Sequence, residues 1–290
     1  MPTYSSFDQA TLDREYSPSS CVDDINVYIL EYVRGSKEAR NSAIEQGAYL
    51  GDLEYGTSED EKIDLFLPTS TAAAPLHIYI HGGYWQALSK NESSFAATMF
   101  QQHGSFFAAI NYSLAPAVNL TEIVDQNRRA IAWLYHHSVR WGFDRDRIYI
   151  SGSSAGAHLT MMMLLTDWTA YGLPKDAIKG VCAVSGIYDL EPVRLSYVNG
   201  PLGMNRQEAA ENSPMSQAVR NHCPIILAYG DNETKEFKRQ SNEYRNLLLK
   251  TNETVSFNEI EDRNHFDVIL DLMDENTWLS RQVLQQMGLI

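Results

Sequence analysis

Residues 147–159 read RIYISGSSAGAHL, an apolar strand candidate running straight into Gly152-Ser153-Ser154-Ala155-Gly156 and then into a run with helical spacing. The spacing is G-x-S-x-G, and it stands between a strand and a helix, where that motif has a mechanical meaning. A turn this sharp holds its central residue in a strained conformation, and side chains two residues to either side would strike strand and helix, hence the two glycines. The turn lifts one hydroxyl out of the sheet edge beside the positive end of a helix. Of the three neighbouring serines only Ser154 has glycine at both −2 and +2, which makes it the candidate nucleophile.

Outward from that turn, short apolar runs alternate with helical patterns from about residue 60 onward. Strands are expected at Ile63–Leu67, His77–Ile80, Phe106–Asn111, Arg147–Ile150, Gly180–Val184, Pro224–Tyr229 and Val255–Ile260. Amphipathic helices are expected at Glu122–Arg140, Ala155–Leu165, Lys235–Lys250 and Phe266–Met287. Such alternation requires crossover connections, hence a mostly parallel, doubly wound α/β sheet with helices on both faces. No repeat or linker divides residues 1–290, which read as a single domain. The stretch Pro68–Pro75 (PTSTAAAP) reads as a loop between strands. Asp23 or Asp24 can cap a helix with Ile25, Tyr28, Ile29 and Tyr32 on one face, so residues 1–50 form a helical extension. That extension either packs on the sheet domain or caps the mouth of a cleft. Residues 194–220, with Pro201, Gly203 and Pro214, read as an irregular insertion of the kind that forms lids.

A serine hydroxyl is a weak nucleophile and needs a base and an orienting acid, which in a strand–turn–helix arrangement of this kind follow it in the chain. Of eight histidines only His222 and His265 lie beyond the serine helix. His222 precedes a strand and falls at the wrong end of the sheet, whereas His265 follows the last strand and is the candidate base. The acid is expected just after Pro224–Tyr229, where Asp231 and Glu233 both qualify chemically. Glu233, three past Gly230, clears the strand end better; Asp189 is a third option, more suited to capping its own loop. An oxyanion hole needs backbone N–H donors. Ala155 supplies one from the helix start, and His81-Gly82-Gly83-Tyr84-Trp85 supplies others through Gly83 and Tyr84, with Gly82 making the turn. His81 reads as a brace for that loop. Gly82, Tyr84 and Trp85 are candidate substrate contacts, the two aromatic rings being equally suited to stacking on an aryl group and to the core.

Composition narrows the partners. Against 23 Lys and Arg stand 37 Asp and Glu, a net charge of −14, which a nucleic-acid backbone repels. Apolar runs fall far short of the roughly 20 residues a membrane span needs, and the first residues, MPTYSSFDQATLDREY, lack the basic start and apolar core of a secretory signal. Three widely spaced cysteines fit a reducing compartment, so a cytoplasmic protein is expected. Neither a P-loop, a dinucleotide fingerprint nor HExxH occurs, so neither cofactor nor metal is expected. The sequence leaves a homodimer open.

Several motifs together resemble the arylformamidase (kynurenine formamidase) branch of the α/β-hydrolase superfamily, over nearly the whole chain. They are Leu12-Asp13-Arg14-Glu15-Tyr16, His81-Gly82-Gly83-Tyr84-Trp85, Ser154-Ala155-Gly156-Ala157-His158-Leu159, Glu236-Phe237-Lys238-Arg239-Gln240-Ser241 and His265-Phe266-Asp267. The resemblance implies the α/β-hydrolase fold and hydrolysis of N-formylkynurenine to formate and kynurenine in tryptophan breakdown, without a cofactor. Counting back from Glu236-Phe237 puts the family's acid at Glu233, where aspartate is usual, and Ser153 stands where histidine is frequent. The expected activity is a serine hydrolase acting on a small aryl amide, with a carboxylesterase or aryl-acyl amidase as the alternative.

Overall fold

The strands form one eight-stranded sheet in a computed structural model that describes residues 7–69, 73–251 and 253–290. In chain order they are β1 (Tyr49–Glu54), β2 (Lys62–Phe66), β3 (Ala74–Ile80), β4 (Phe106–Ile110), β5 (Phe143–Ser153), β6 (Ile178–Val184), β7 (Ile225–Asn232) and β8 (Val255–Asn264). Their spatial order is β1-β2-β4-β3-β5-β6-β7-β8; β2 runs antiparallel to both its neighbours, β1 and β4, and from β4 onward every pair is parallel. The helices are α1 (Gln9–Glu15), α2 (Asn26–Glu45), α3 (Ala97–Gln102), α4 (Leu120–Trp141), α5 (Ala155–Leu164), α6 (Glu191–Leu195), α7 (Asn199–Leu202), α8 (Arg206–Glu211), α9 (Lys235–Lys250) and α10 (Trp278–Gln286).

Central parallel strands are covered on both faces, which is why they read as unbroken apolar runs; every residue of β3 and β4 is buried. Leu76, Ile78 and Ile80 of β3 point into one core with α4, α5 and α9, while Tyr79 points into the other with α2, α3 and α10. Local chemistry fixes the ends of the longest helix. The Asn119 side chain accepts from the N–H of Glu122 at the start of α4, and Gly142, at φ 91°, ends it in the left-handed region.

Four expectations are corrected. The antiparallel β1 is added at one edge, its half-exposed YLGDLE carrying little apolar signal. Helix α5 is not amphipathic: all ten residues are buried, because it is enclosed by the sheet, α4 and the segment around Pro214. The expected helix Phe266–Met287 is two pieces, a 3-10 turn at Val268–Met273 and then α10. Asp274 accepts from the N–H of Asn276 and Thr277 caps α10, so the chain turns between them. Residues 194–220 hold the end of α6, all of α7 and α8, and a 3-10 turn rather than irregular chain. Part of the Pro68–Pro75 loop, residues 70–72, lies outside the described residues, as do residues 1–6.

Candidate active site

Ser154 ends the turn between β5 and α5 at φ 57°, ψ −119°, a conformation that costs an L-residue about 1–3 kcal/mol. The flanking glycines are sterically required. A Cβ on Gly156 would lie 2.0 Å from the carbonyl oxygen of Ile80, and one on Gly152 would lie 2.4 Å from that of Gly156. Because Ile80 of β3 pairs with Gly152 of β5, the loop leaving β3 emerges beside this turn. There Gly83, Tyr84 and Trp85 take φ values of 95°, 53° and 60° in succession. Gly83 accepts from the N–H groups of Gln86 and Ala87, and a Cβ on it would meet the Ala87 carbonyl oxygen at 2.2 Å. Ala155 opens α5, so its N–H has no acceptor within the helix.

The parallel strands β7 and β8 deliver Glu233 and His265 from adjacent carboxyl ends. The Glu233 Oε2 accepts from His265 Nδ1 at 2.9 Å; its Oε1 accepts from the Ser185 hydroxyl at 2.6 Å and the Gly230 N–H at 2.8 Å. Both side chains are buried. Behind His265, Asp267 accepts from the backbone and side-chain N–H groups of Asn264, whose Oδ1 accepts from the Phe266 N–H, closing the turn. The imidazole packs edge-on to Phe237, ring centroids 4.5 Å apart. Of the other acids considered, Asp231 is exposed and accepts from the Arg263 N–H, and Asp189 accepts from the Glu191 N–H in its own loop.

Ser154 and His265 line one cavity of about 500 Å³, together with Gly82, Gly83 and Tyr84. Tyr32, Tyr79, Phe95 and Phe266 give it aromatic walls, and Glu92 is the carboxylate among its described lining residues. In α2, Ala39 and Ala43 pack in the core beside the sheet, while Ile29 and Tyr32, with Ile25 just before the helix, line the cavity. Trp85 is a correction. It is fully buried, edge-on to His158, and absent from the cavity wall, because the turn that leaves Tyr84 on that wall throws its neighbour into the core. His81 braces the loop, stacked 4.0 Å from Tyr112 with Nδ1 2.9 Å from the Gly82 oxygen; burial pushes its pKa down to about 4. His222 pairs with Glu253, away from the cavity.

The sequence reading missed Ser185, the second side-chain donor to Glu233, held at φ 53° directly after β6, and the wall residues Tyr32 and Tyr79. Only a serine at a strand's carboxyl end hinted at the first. Among the described residues no group of three or more His, Cys, Asp or Glu is placed to hold a metal ion, and no helix is long and apolar enough to cross a membrane.

A serine on a strand-to-helix turn, lining one cavity with a histidine from the end of this mixed sheet, fits the α/β-hydrolase class. The BD-FAE family profile matches residues 63–248, from β2 to α9, a span that includes Ser154 and Glu233 and stops short of His265. A kynurenine formamidase of Danio rerio is 39% identical over 99% of both chains, and one of Salmo salar 36% identical over the same share. The crystal structure of a candidate thioesterase from Silicibacter superposes with a TM-score of 0.81 at 27% identity, over 93% of this chain and 97% of that one. The chain therefore belongs to the α/β-hydrolase superfamily, in the branch that joins BD-FAE proteins and kynurenine formamidases.

Proposed function

We propose that the protein is a serine hydrolase that removes a small acyl or formyl group from an aryl amide of the N-formylkynurenine type. Ser154 attacks the carbonyl carbon as His265 Nε2 takes its proton, with Glu233 fixing the imidazole through Nδ1. The N–H groups of Gly83, Tyr84 and Ala155 stabilise the oxyanion, each such donor being worth about 3–4 kcal/mol in transition states of this kind. His265 then protonates the departing aryl amine, leaving an acyl-serine. Water, deprotonated by His265, attacks that ester and releases formate or another small acid, restoring Ser154.

The observation that carries this reading is the buried Glu233–His265 hydrogen bond ending at the cavity that Ser154 lines. The likeness to kynurenine formamidases over the full chain supports the formyl substrate. So do the aromatic walls, suited to an aryl ring, and the Glu92 carboxylate, suited to the ammonium of an amino-acid leaving group.

One panel tests it: N-formylkynurenine, formanilide and aryl esters of growing acyl length, with fluorophosphonate labelling of wild type and Ser154→Ala. The expected result is labelling abolished by Ser154→Ala, with the formyl amide preferred. Longer-chain aryl esters turned over far faster than N-formylkynurenine would move the assignment to a carboxylesterase. Undiminished labelling of Ser154→Ala would remove the nucleophile.

A further inference from the structure

Two sequence motifs have no part in the chemistry above: residues 12–16 (LDREY) and residues 236–241 (EFKRQS). They lie more than 200 residues apart and meet beside the acid loop. The Tyr16 hydroxyl, on a side chain only 1% exposed, donates to Glu236 Oε2 at 2.9 Å and accepts from Gln240 Nε2 at 2.7 Å. The neighbouring backbone is held as well: the Glu15 carbonyl accepts from the Thr234 hydroxyl, and Glu15 Oε2 accepts from the Glu236 N–H. Both contacts fall within three residues of Glu233.

The same residue reaches the other side of the site. The Tyr16 carbonyl accepts from the Tyr84 hydroxyl at 2.6 Å, tying down the loop that holds Gly83 and Tyr84. Gln240 adds a third loop, because its Oε1 accepts from the N–H groups of Tyr188 and Asp189, in the loop that begins at Ser185. Residues 15 and 16 thus touch the acid loop and the loop of the proposed oxyanion donors directly, and the loop of Ser185 through Gln240. We infer that Tyr16 is a positioning residue, which sets the distance between the Glu233–His265 pair and the oxyanion donors.

Two physical points favour this over a packing role. A tyrosine kept only to fill the core needs its ring, which lies against Phe237, and not a hydroxyl with two side-chain partners. Burial keeps that hydroxyl protonated, its pKa raised well above the usual value, so it remains a donor to Glu236 throughout the working pH range. Secondly, Tyr84 and Trp85, two successive non-glycine residues at positive φ, are strained and persist only where their surroundings over-determine them. The Tyr84–Tyr16 bond is one such determinant. An oxyanion donor displaced by about 1 Å costs up to ~100-fold in rate.

The inference rests on the serine mechanism proposed above. The test uses the full chain with a neutral aryl ester, measuring kcat, KM and thermal stability for Tyr16→Phe, Tyr84→Phe and the double variant. Tyr16→Phe keeps the ring and the carbonyl that Tyr84 uses. It is expected to lower kcat ~10-fold or more, with KM within about twofold, since geometry at the reacting atoms and not substrate binding is changed. The two single effects are expected to be non-additive, the double variant losing less than their product. Unchanged kcat per folded molecule, an effect confined to KM, or a double variant equal to the product would each overturn the inference. Should Tyr16→Phe fail to fold, Tyr84→Phe decides alone, with unchanged kcat as the overturning result. A wild-type protein that neither hydrolyses the ester nor labels with a fluorophosphonate takes the mechanism and this inference down together; an active wild type with unaffected variants removes only the inference.

Discussion

Replacing Glu233 with glutamine turns one acceptor oxygen into a donor NH2 and changes almost no volume, so its effect can be worked from the contacts. Three donors converge on the carboxylate: the Gly230 N–H and Ser185 O–H on Oε1, and the His265 Nδ1–H on Oε2. A carboxamide offers one acceptor oxygen and an NH2 group that must face an acceptor. With two donors on one side, the oxygen settles toward Gly230 and Ser185 and the NH2 toward His265. Imidazole then presents a bare Nδ1 and carries its proton on Nε2, where it cannot accept the Ser154 proton. The wrong tautomer costs ~10⁴ in kcat in a triad, or about 5 kcal/mol at 1.36 kcal/mol per tenfold. Glutamate-to-aspartate keeps the charge but withdraws it by about 1.5 Å, one methylene, and a loss of ~10–100-fold is expected. Steady-state kcat/KM on an aryl ester, with unfolding temperatures as a control on folding, reads both. A Glu233→Gln enzyme within tenfold of wild type would refute the role assigned to this carboxylate.

Acid is expected to destabilise the fold through three buried histidines. Burial pushes His77 down to about 3 and His81 and His158 to about 4, from a usual value of 6.5. The unfolded chain takes up these protons below pH 6.5 and the folded chain does not, so their contribution is fully present above that pH and lost on descent toward 4. At pH 5 the loss is about 2 kcal/mol for each histidine, from 1.5 pH units at 1.36 kcal/mol. Denaturant titrations at pH 7.5 and 5 check it; equal stabilities would contradict the buried neutral state. Glu92→Gln is expected to raise KM for N-formylkynurenine ~2–5-fold relative to formanilide, which lacks the ammonium group, consistent with one partly screened charge pair of up to about 1 kcal/mol. An equal change for both substrates would remove Glu92 from substrate selection.

Sequence alone determined what short-range sterics dictate. The glycines at 152 and 156 announce the Ser154 turn because no Cβ fits against Gly156 and Ile80, and the parallel strands announce themselves because two-sided burial demands unbroken apolar runs. Chain order then left few histidines to consider, and the structure brings His265 to the cavity that Ser154 lines. Glu233 over Asp231 was a matter of reach, and its hydrogen bond to His265 became visible only once β7 and β8 lay side by side.

What tertiary structure decided has a common cause: a contact between distant segments leaves no periodic mark on either of them. Trp85 and Tyr84 are adjacent aromatics, yet backbone geometry sends one to the core and leaves the other at the cavity. Ser185 gains a role only through Glu233, 48 residues on, and Tyr16 through Glu236 and Gln240 at the far end of the chain. The chain encodes such partners by where the sheet places their loops, which is a property of the folded whole.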